Sequence, residues 1–207
     1  MRNTRPKRTD SEAIEVRVAV LKGRAGRRKA EKPHLRFDNV ATRVVERLRG
    51  AVGRSVPDGR TVAVTITAPI RLAAKTTAAL EERVRGLLEK GSTRRDEKAE
   101  IHGNRVRIRV LKSGSKRAAK LIGFVHNADS DPLLLLDMTR ELVELLGGDG
   151  DRPSPKRAQR RWLVVTGGAG SSCLEAYRSI YSQLRAGADF EKVLMAFDDG
   201  QVGELTD

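Results

Sequence analysis

Three arginines at alternate positions within residues 105–110 are the side chains of this sequence best suited to chemistry. In an extended strand, Arg105, Arg107 and Arg109 point to one face, and the apolar residues between them point to the other. Like charges about 7 Å apart repel one another unless an anion neutralises them, and phosphates along a nucleic-acid strand have a similar spacing. The pattern favours phosphate binding. The alternative is a solvated edge strand whose charges prevent aggregation.

Other basic residues cluster in the same part of the chain and near the N-terminus. Residues 101–120 hold seven Lys or Arg and no acid, residues 1–36 hold twelve against four acids, and the whole chain carries +14. Such a field attracts polyanions. Arg71 and Lys75 lie near the start of a predicted helix. They could bind a phosphate there, or they could simply face the solvent. The further candidate nucleic-acid contacts are Lys22, Arg24, Arg27, Arg28, Lys29, Arg71, Lys75, Lys112, Lys116 and Arg117.

A glycine-rich turn at residues 166–172 carries the alternative function. Gly167, Gly168 and Gly170 would let the backbone approach a phosphate, and Ser171 and Ser172 could cap the helix that follows. The turn lacks the P-loop lysine and the dinucleotide-binding spacing. It therefore predicts either an enzyme that handles a nucleotide or phosphate ester, such as a nuclease, or a simple strand-to-helix turn.

The remaining reactive residues favour a binding protein over an enzyme. His126, Asp129 and Asp131 lie close together, but Asp129 suits a turn and Asp131 suits a helix start, so we expect no metal and no cofactor. Aromatic residues make up only 3% of the chain, so base stacking is a poor expectation and Tyr177 and Tyr181 are predicted to be core residues. We therefore expect the protein to bind a duplex or a structured RNA mainly through phosphates, with weak sequence specificity. Binding of an acidic protein partner is the remaining alternative.

Composition limits the class of protein. The 207 residues are 39% hydrophobic, and no apolar run approaches the ~20 residues of a membrane span. No apolar stretch follows the basic N-terminus, so we expect neither a secretory signal nor a membrane association. The single cysteine, Cys173, cannot form an internal disulfide, which favours the cytoplasm.

Hydrophobic periodicity predicts an α/β protein with mixed sheets, in the element order βαβαββ followed by βαβαββ. We expect a basic tail at 1–12, one module at 13–112 and a second at 118–207, with a connector at 147–160, arranged as a tandem pseudo-repeat. Asp38 is the predicted N-cap of the first helix, and Ser130 or Asp131 that of a later one. Ile14, Val16, Val18 and Val20 alternate with other residues and predict a first strand that is half buried.

The order βαβαββ resembles that of Alba-like chromatin and RNA-binding proteins and of the C-terminal domain of bacterial translation initiation factor three. In the first half, a strand runs into a basic glycine-containing loop (VAVLKGR), and a later strand runs into an Ala/Lys-rich helix (VTITAPIRLAAKTTAALEERV). The resemblance implies nucleic-acid contacts from the first loop and the final hairpin. By position these fall on Lys22, Arg24, Arg27 and Arg28, and on Arg105, Arg107 and Arg109.

Overall fold

The computed structural model describes residues 14–21, 33–89, 96–113, 119–147, 160–184 and 190–206. Within these ranges, no helix has the length and apolar character needed to cross a membrane. Several predicted features lie outside the described residues: the tail 1–12, Lys22, Arg24, Arg27, Arg28, Lys29, Lys116, Arg117 and most of the connector.

One four-stranded sheet, here called the hairpin sheet, has the strand order β3-β4-β2-β5. Its strands are β2 (Arg60–Thr67), β3 (Asp96–Ile101), β4 (Asn104–Lys112) and β5 (Leu121–His126). Strand β2 runs parallel to β5 and antiparallel to β4, and β3 and β4 form an antiparallel hairpin closed by His102 and Gly103. Helices α1 (Asn39–Val52) and α2 (Ala73–Glu89) complete this part of the fold.

The second sheet, here called the β1 sheet, has the order β1-β6-β7-β8. Its strands are β1 (Ile14–Val20), β6 (Arg160–Thr166), β7 (Lys192–Ala196) and β8 (Val202–Glu204). The first three are parallel and β8 is antiparallel to β7. Helices α3 (Pro132–Gly147) and α4 (Leu174–Leu184) come before and after β6 along the chain.

Local capping explains where two of the helices begin. The Asp38 side chain accepts hydrogen bonds from the backbone N–H groups of Val40 and Ala41 at 3.1 and 2.9 Å, which confirms the predicted N-cap of α1. At α3, Asp131 accepts from the N–H of Leu133 at 2.8 Å, just before Pro132 at the first helical position.

The predicted α/β class and the predicted element order are confirmed, but the tandem repeat of modules is not shown. The first strand of each half pairs in the sheet of the other half: β1 lies beside β6, and β5 lies beside β2. The remaining strands also differ in order, because β2 neighbours β4 whereas its counterpart β6 neighbours β7. The boundaries 13–112 and 118–207 stay a prediction.

Two apolar clusters hold the layers together. On one face of the hairpin sheet, Leu48 of α1 and Leu80 of α2 pack with Val64 and Ile108. On the other face, α3 and α4 lie between the two sheets, and one cluster joins residues of both sheets to both helices. Representative members of that cluster are Phe124, Leu135, Met138, Leu142, Leu163, Val165, Tyr177, Tyr181 and Met195. The prediction of Tyr177 and Tyr181 as core residues is confirmed.

Strand β1 departs from the expected burial. Its apolar side chains Ile14, Val16, Val18 and Val20 are all exposed, whereas the alternate residues between them are half buried. The reason is that α3 and α4 pack on the opposite face of the β1 sheet, where Leu163 and Val165 are buried. The amphipathic period of the strand is therefore a correct guide to its conformation but not to which face is covered.

Candidate nucleic-acid interface

The three arginines of β4 share one face of the hairpin sheet, as the sequence predicts. Val106 and Ile108 between them are buried on the opposite face. The pairing register places Thr65 of β2 on one side of Arg107 and Lys98 of β3 on the other. Polar and charged side chains therefore continue across three strands on the arginine-bearing face.

Two carboxylates neutralise two of these arginines. Arg107 donates to both carboxylate oxygens of Asp96, through Nε at 2.7 Å and Nη2 at 2.8 Å. Arg109 donates to Asp96 and, from its other terminal nitrogen, to Asp137 of α3, both at 2.8 Å. The side chains of Arg107 and Arg109 are each only 14% exposed. The repulsion along the arginine row is relieved within the protein, so these two guanidiniums are poorly placed to bind an external phosphate.

The ion-pair cluster also shifts the pKa of its members. Burial opposes ionisation of Asp96, but the hydrogen bonds and charges of Arg107 and Arg109 prevail and lower its pKa below the ordinary value of 3.8. Burial likewise opposes the charge of Arg109, whereas Asp96 and Asp137 raise its pKa above the ordinary value. Both groups are therefore held in their charged forms at neutral pH.

Arg105 differs from its two neighbours. It is exposed, as are Lys98 on β3 and Arg71 just before α2. Within the described ranges, none of these three side chains lies within ion-pair distance of a carboxylate. We call Arg71, Lys98 and Arg105 the hairpin cations, because Arg71 packs on the turn at Gly103 and the other two lie on the strands that the turn connects.

Asn104 fixes the hairpin against the start of α2. Its side-chain amide is 1% exposed, donates to the carbonyls of Arg71 and Ile101 and to the Thr76 hydroxyl, each at 2.9 Å, and accepts from the Arg71 N–H at 2.7 Å. The turn itself packs on the Arg71 side chain, since a Cβ at Gly103 would lie 3.1 Å from its Nη1. Arg71 is therefore held beside the strand that carries Arg105.

A cleft of about 560 Å³ opens beside the hairpin cations, at the carboxyl ends of the parallel strands β2 and β5 and the start of α3. Ligands of open α/β sheets commonly bind outside the carboxyl ends of strands. We call it the hairpin cleft. Its lining residues include Thr65, Thr67, Lys98, Glu100, Arg105, Arg107, His126, Ser130 and Asp131.

His126 forms part of the floor of the hairpin cleft and is 2% exposed. Its Nδ1–H donates to the backbone carbonyl of Asn127 at 2.8 Å, which fixes the tautomer. Burial lowers the pKa of His126 below its ordinary value, and the charge of Arg105 acts in the same direction. The neutral ring turns Nε2 toward the Thr67 hydroxyl at 3.5 Å, the outer limit of a hydrogen bond. The His126 ring in the floor is thus uncharged, whereas the lining around it carries the cations Lys98 and Arg105 and the carboxylates of Glu100 and Asp131.

The glycine-rich turn after β6 makes internal contacts in place of an open phosphate cradle. Gly167, Gly168 and Gly170 all have positive φ, as a tight turn of glycines allows. However, the Gly167 N–H donates to the carbonyl of Ala196, and the Ala169 N–H donates to the buried hydroxyl of Tyr177. Burial raises the pKa of that hydroxyl. Two of the amides that could have met a phosphate are therefore already satisfied.

The two serines of this turn begin a short 3-10 helix that leads into α4. Ser171 donates a hydrogen bond to Asp199 in the turn between β7 and β8, and Ser172 is exposed. Among the described residues, no cluster of His, Cys, Asp and Glu is arranged to hold a metal ion. The turn joins a strand to a helix, but the predicted serine cap is wrong, because Gly170 precedes the 3-10 helix without a side-chain cap and the Ser171 hydroxyl is bonded to Asp199.

The other described candidates lie apart from the hairpin tip or beside it on α2. Lys75 is exposed one turn after Arg71 on α2. Lys112 is exposed at the opposite end of β4, where it pairs with Arg60. The structure therefore groups Arg71, Lys75 and Arg105 toward one end of the hairpin sheet and leaves Lys112 at the other.

Three important residues were not identified from the sequence: Asp96, Lys98 and Asn104. A signal existed for the first two, because the turn at His102 and Gly103 sets the register and counting back from it places Asp96 opposite Arg109 and Lys98 opposite Arg107. No comparable signal existed for Asn104, whose partners on α2 come from tertiary packing.

Comparisons with known protein families, with curated proteins and with solved structures give no match to this chain. The likeness to Alba-like and initiation-factor modules therefore stays a prediction, and function has to be argued from the residues of the hairpin cleft and its rim.

Proposed function

We propose that the protein binds nucleic acid through phosphate contacts made by the hairpin cations. The observation that supports this most directly is the sorting of charge around one hairpin. Arg107 and Arg109 are neutralised by Asp96 and Asp137, whereas Arg71, Lys98 and Arg105 are exposed without a carboxylate partner in the described residues. Glu100 lies opposite Arg105 in the strand register but forms no ion pair with it. Exposed cations that no carboxylate contacts are the groups that release counterions from a polyanion.

The chemistry of the hairpin cleft favours recognition of the backbone over recognition of bases. None of the residues that line the cleft is Phe, Tyr or Trp, so stacking platforms for single-stranded bases are absent from its lining. We therefore expect weak sequence preference and binding of a duplex or a structured RNA. A cytoplasmic location fits this proposal, because a chain with one cysteine cannot form an internal disulfide.

The experiment is a fluorescence-anisotropy titration with labelled duplex RNA, duplex DNA and single strands, at salt concentrations from about 50 to about 300 mM. Replacement of Arg105 by alanine should weaken binding to all sequences alike. It should also reduce the slope of log affinity against log salt by about one unit for each phosphate that the variant no longer neutralises.

The matched control is Arg60→Ala. Arg60 is exposed on the same sheet and lies about 23 Å from Arg105 along the strands, opposite Lys112. Both substitutions remove one positive charge, so any difference between them reports the position of the charge. Equal losses would overturn the assignment to the hairpin cations. Absence of polymer binding at low salt, with binding of an acidic protein instead, would overturn the nucleic-acid proposal itself.

A further inference from the structure

The outer face of the β1 sheet is apolar and is covered by neither α3 nor α4, which pack on the other side. The pairing registers align its side chains in rows that cross all four strands. We call this surface the outer face. Its members are Ile14, Val16, Val18, Val20, Arg160, Trp162, Val164, Thr166, Lys192, Leu194, Ala196, Val202 and Glu204.

This exposure is unusual for the kind of sheet that carries it. Val16, Val18 and Val20 are 55%, 65% and 68% exposed, and Val202 on the far strand is 66% exposed. Parallel strands such as β1, β6 and β7 are almost always covered on both faces, because their sequences are apolar on both. Contiguous apolar patches of several hundred square ångströms on a protein surface usually mark an interaction site. Within the described part of the chain, the outer face therefore lacks a partner layer.

The charges of the outer face identify what kind of partner fits. Its charged residues lie at the end where β6 and β7 begin, and they are paired: Lys192 lies 3.8 Å from Glu204, and Arg160 lies 3.6 Å from Glu191. Lys192 also lies over the Trp162 ring, 5.3 Å from its centroid. The outer face is therefore close to electrically neutral. A nucleic acid or a strongly acidic protein would gain nothing here, whereas another neutral apolar layer would.

We propose that a second copy of this chain covers the outer face, with the two β1 sheets stacked face to face about a two-fold axis. Identical flat faces are self-complementary under such an axis, and sheets stack at about 10 Å with interdigitated side chains. The exposed apolar side chains supply on the order of 500 Å² from each copy, which reaches the ~1,000 Å² total of a specific interface. The inference is independent of nucleic-acid binding, since Lys98 and Arg105 lie on the hairpin sheet and Arg71 lies next to its turn.

The net charge of the copies gives the pair a distinctive salt dependence. Each copy carries +14, so two copies repel at long range and salt screens that repulsion. Association through the apolar outer face should therefore tighten as salt rises. Phosphate binding by the hairpin cations should weaken over the same range, so the two proposals can fail separately.

Trp162 makes the test direct, because it is the only tryptophan of the chain and lies on the outer face. Sedimentation and tryptophan emission would be recorded for the full chain from about 1 to about 100 µM, at low and high salt. We expect a monomer–dimer equilibrium, a blue shift of the emission that tracks the dimer fraction, and a several-fold tighter dimer at high salt. This measurement on the unaltered chain needs no variant to remain folded.

The variant test replaces Val18 by aspartate, and its matched control is Val40→Asp. Val18 lies on the outer face and is 65% exposed, whereas Val40 lies on α1 and is 48% exposed. The Val18 variant should weaken the dimer at least about thirtyfold, because each interface would bury two unpaired charges, and the control should leave it unchanged.

Three results would overturn the inference. A chain that stays monomeric at all concentrations, with an unchanged tryptophan emission, would show that no partner copy binds. A dimer whose formation leaves the tryptophan emission unchanged would show that the copies meet at another surface. Open-ended growth beyond the dimer would show that the contact does not close about a two-fold axis.

Discussion

Replacement of Asp96 by asparagine should destabilise the protein, because Asp96 joins two arginines that are otherwise close together on one strand. The carboxylate accepts three hydrogen bonds, two from Arg107 and one from Arg109. Asparagine keeps the shape of the side chain but removes its charge, and its amide group would meet guanidinium N–H donors at one of the two positions. Arg107 and Arg109 would then lose much of the negative charge that offsets their repulsion.

The expected loss is about 2 kcal/mol in the free energy of unfolding at pH 7. At least one hydrogen bond is lost outright and the other two lose the charge of their acceptor, which together cost about 2 kcal/mol after allowance for solvent, because Asp96 is 32% exposed. The figure lies below the roughly 3–5 kcal/mol seen when one partner of a fully buried pair is removed. For a chain of this size it corresponds to a fall of about 1 M in the urea midpoint.

The pH dependence separates this effect from a general defect. Since the pKa of Asp96 in the folded chain lies below 3.8, its stabilisation is present above that value and is lost as the pH falls through the folded-state pKa. Urea unfolding at pH 7, 5 and 3 should therefore show a gap between the two proteins that narrows at the acid end. A variant as stable as the parent at pH 7, or a gap that persists unchanged at acid pH, would refute the ion-pair argument.

The control for this experiment is Glu144→Gln. Glu144 forms an ion pair with Arg140 at 4.0 Å on α3, but its side chain is 65% exposed. Exposed pairs of this kind contribute little, so the stability should change by less than about 0.5 kcal/mol. Comparison of the two variants shows whether the loss of stability is specific to Asp96, which two arginines share, or follows from the removal of any paired carboxylate.

Two further substitutions test the local packing at the two candidate sites. Asn104→Ala should cost about 2 kcal/mol in urea unfolding, because it leaves the N–H of Arg71 without its side-chain acceptor, whereas the Arg71 carbonyl keeps the Thr76 hydroxyl; an unchanged midpoint would contradict that. Gly168→Ala should cost about 2 kcal/mol more than Gly170→Ala by the same assay. Both glycines have positive φ, but only at Gly168 would a Cβ meet another group closely, the Tyr177 hydroxyl at 2.7 Å. Equal costs would show that strain and not contact governs the turn.

The order of elements was predictable from the sequence because the signals that mark helices and strands are local. The N-cap at Asp38 and the alternation of arginines and aliphatic residues on β4 each involve residues within a few positions of one another. Strand partners are different, because they depend on which apolar faces meet after collapse. Nothing near Ile14 in the sequence indicates that its neighbour is Arg160, and so the exchange of first strands between the halves was not predicted.

The candidate site was predictable in its residue types but not in its charge balance. The row of Arg105, Arg107 and Arg109 predicts three cations that each need a neutralising anion. In the structure, two of them, Arg107 and Arg109, are neutralised by carboxylates. Their anion is internal: Asp96 follows from the hairpin register, but Asp137 comes from α3, which only the tertiary structure brings to the strand. What remains for an outside phosphate is Arg105, together with Lys98, which the strand pattern does not single out.

The exchange of first strands also determines where the described chain leaves the β1 sheet and where it next meets the hairpin sheet. The described chain enters residues 22–32 from Leu21, whose N–H is bonded to Thr166 in the β1 sheet, and leaves them at Pro33. Immediately afterwards His34 is bonded to Ser130 and Asn127, beside the hairpin cleft. The described residues that flank positions 22–32 therefore lie in the β1 sheet on one side and beside the hairpin cleft on the other.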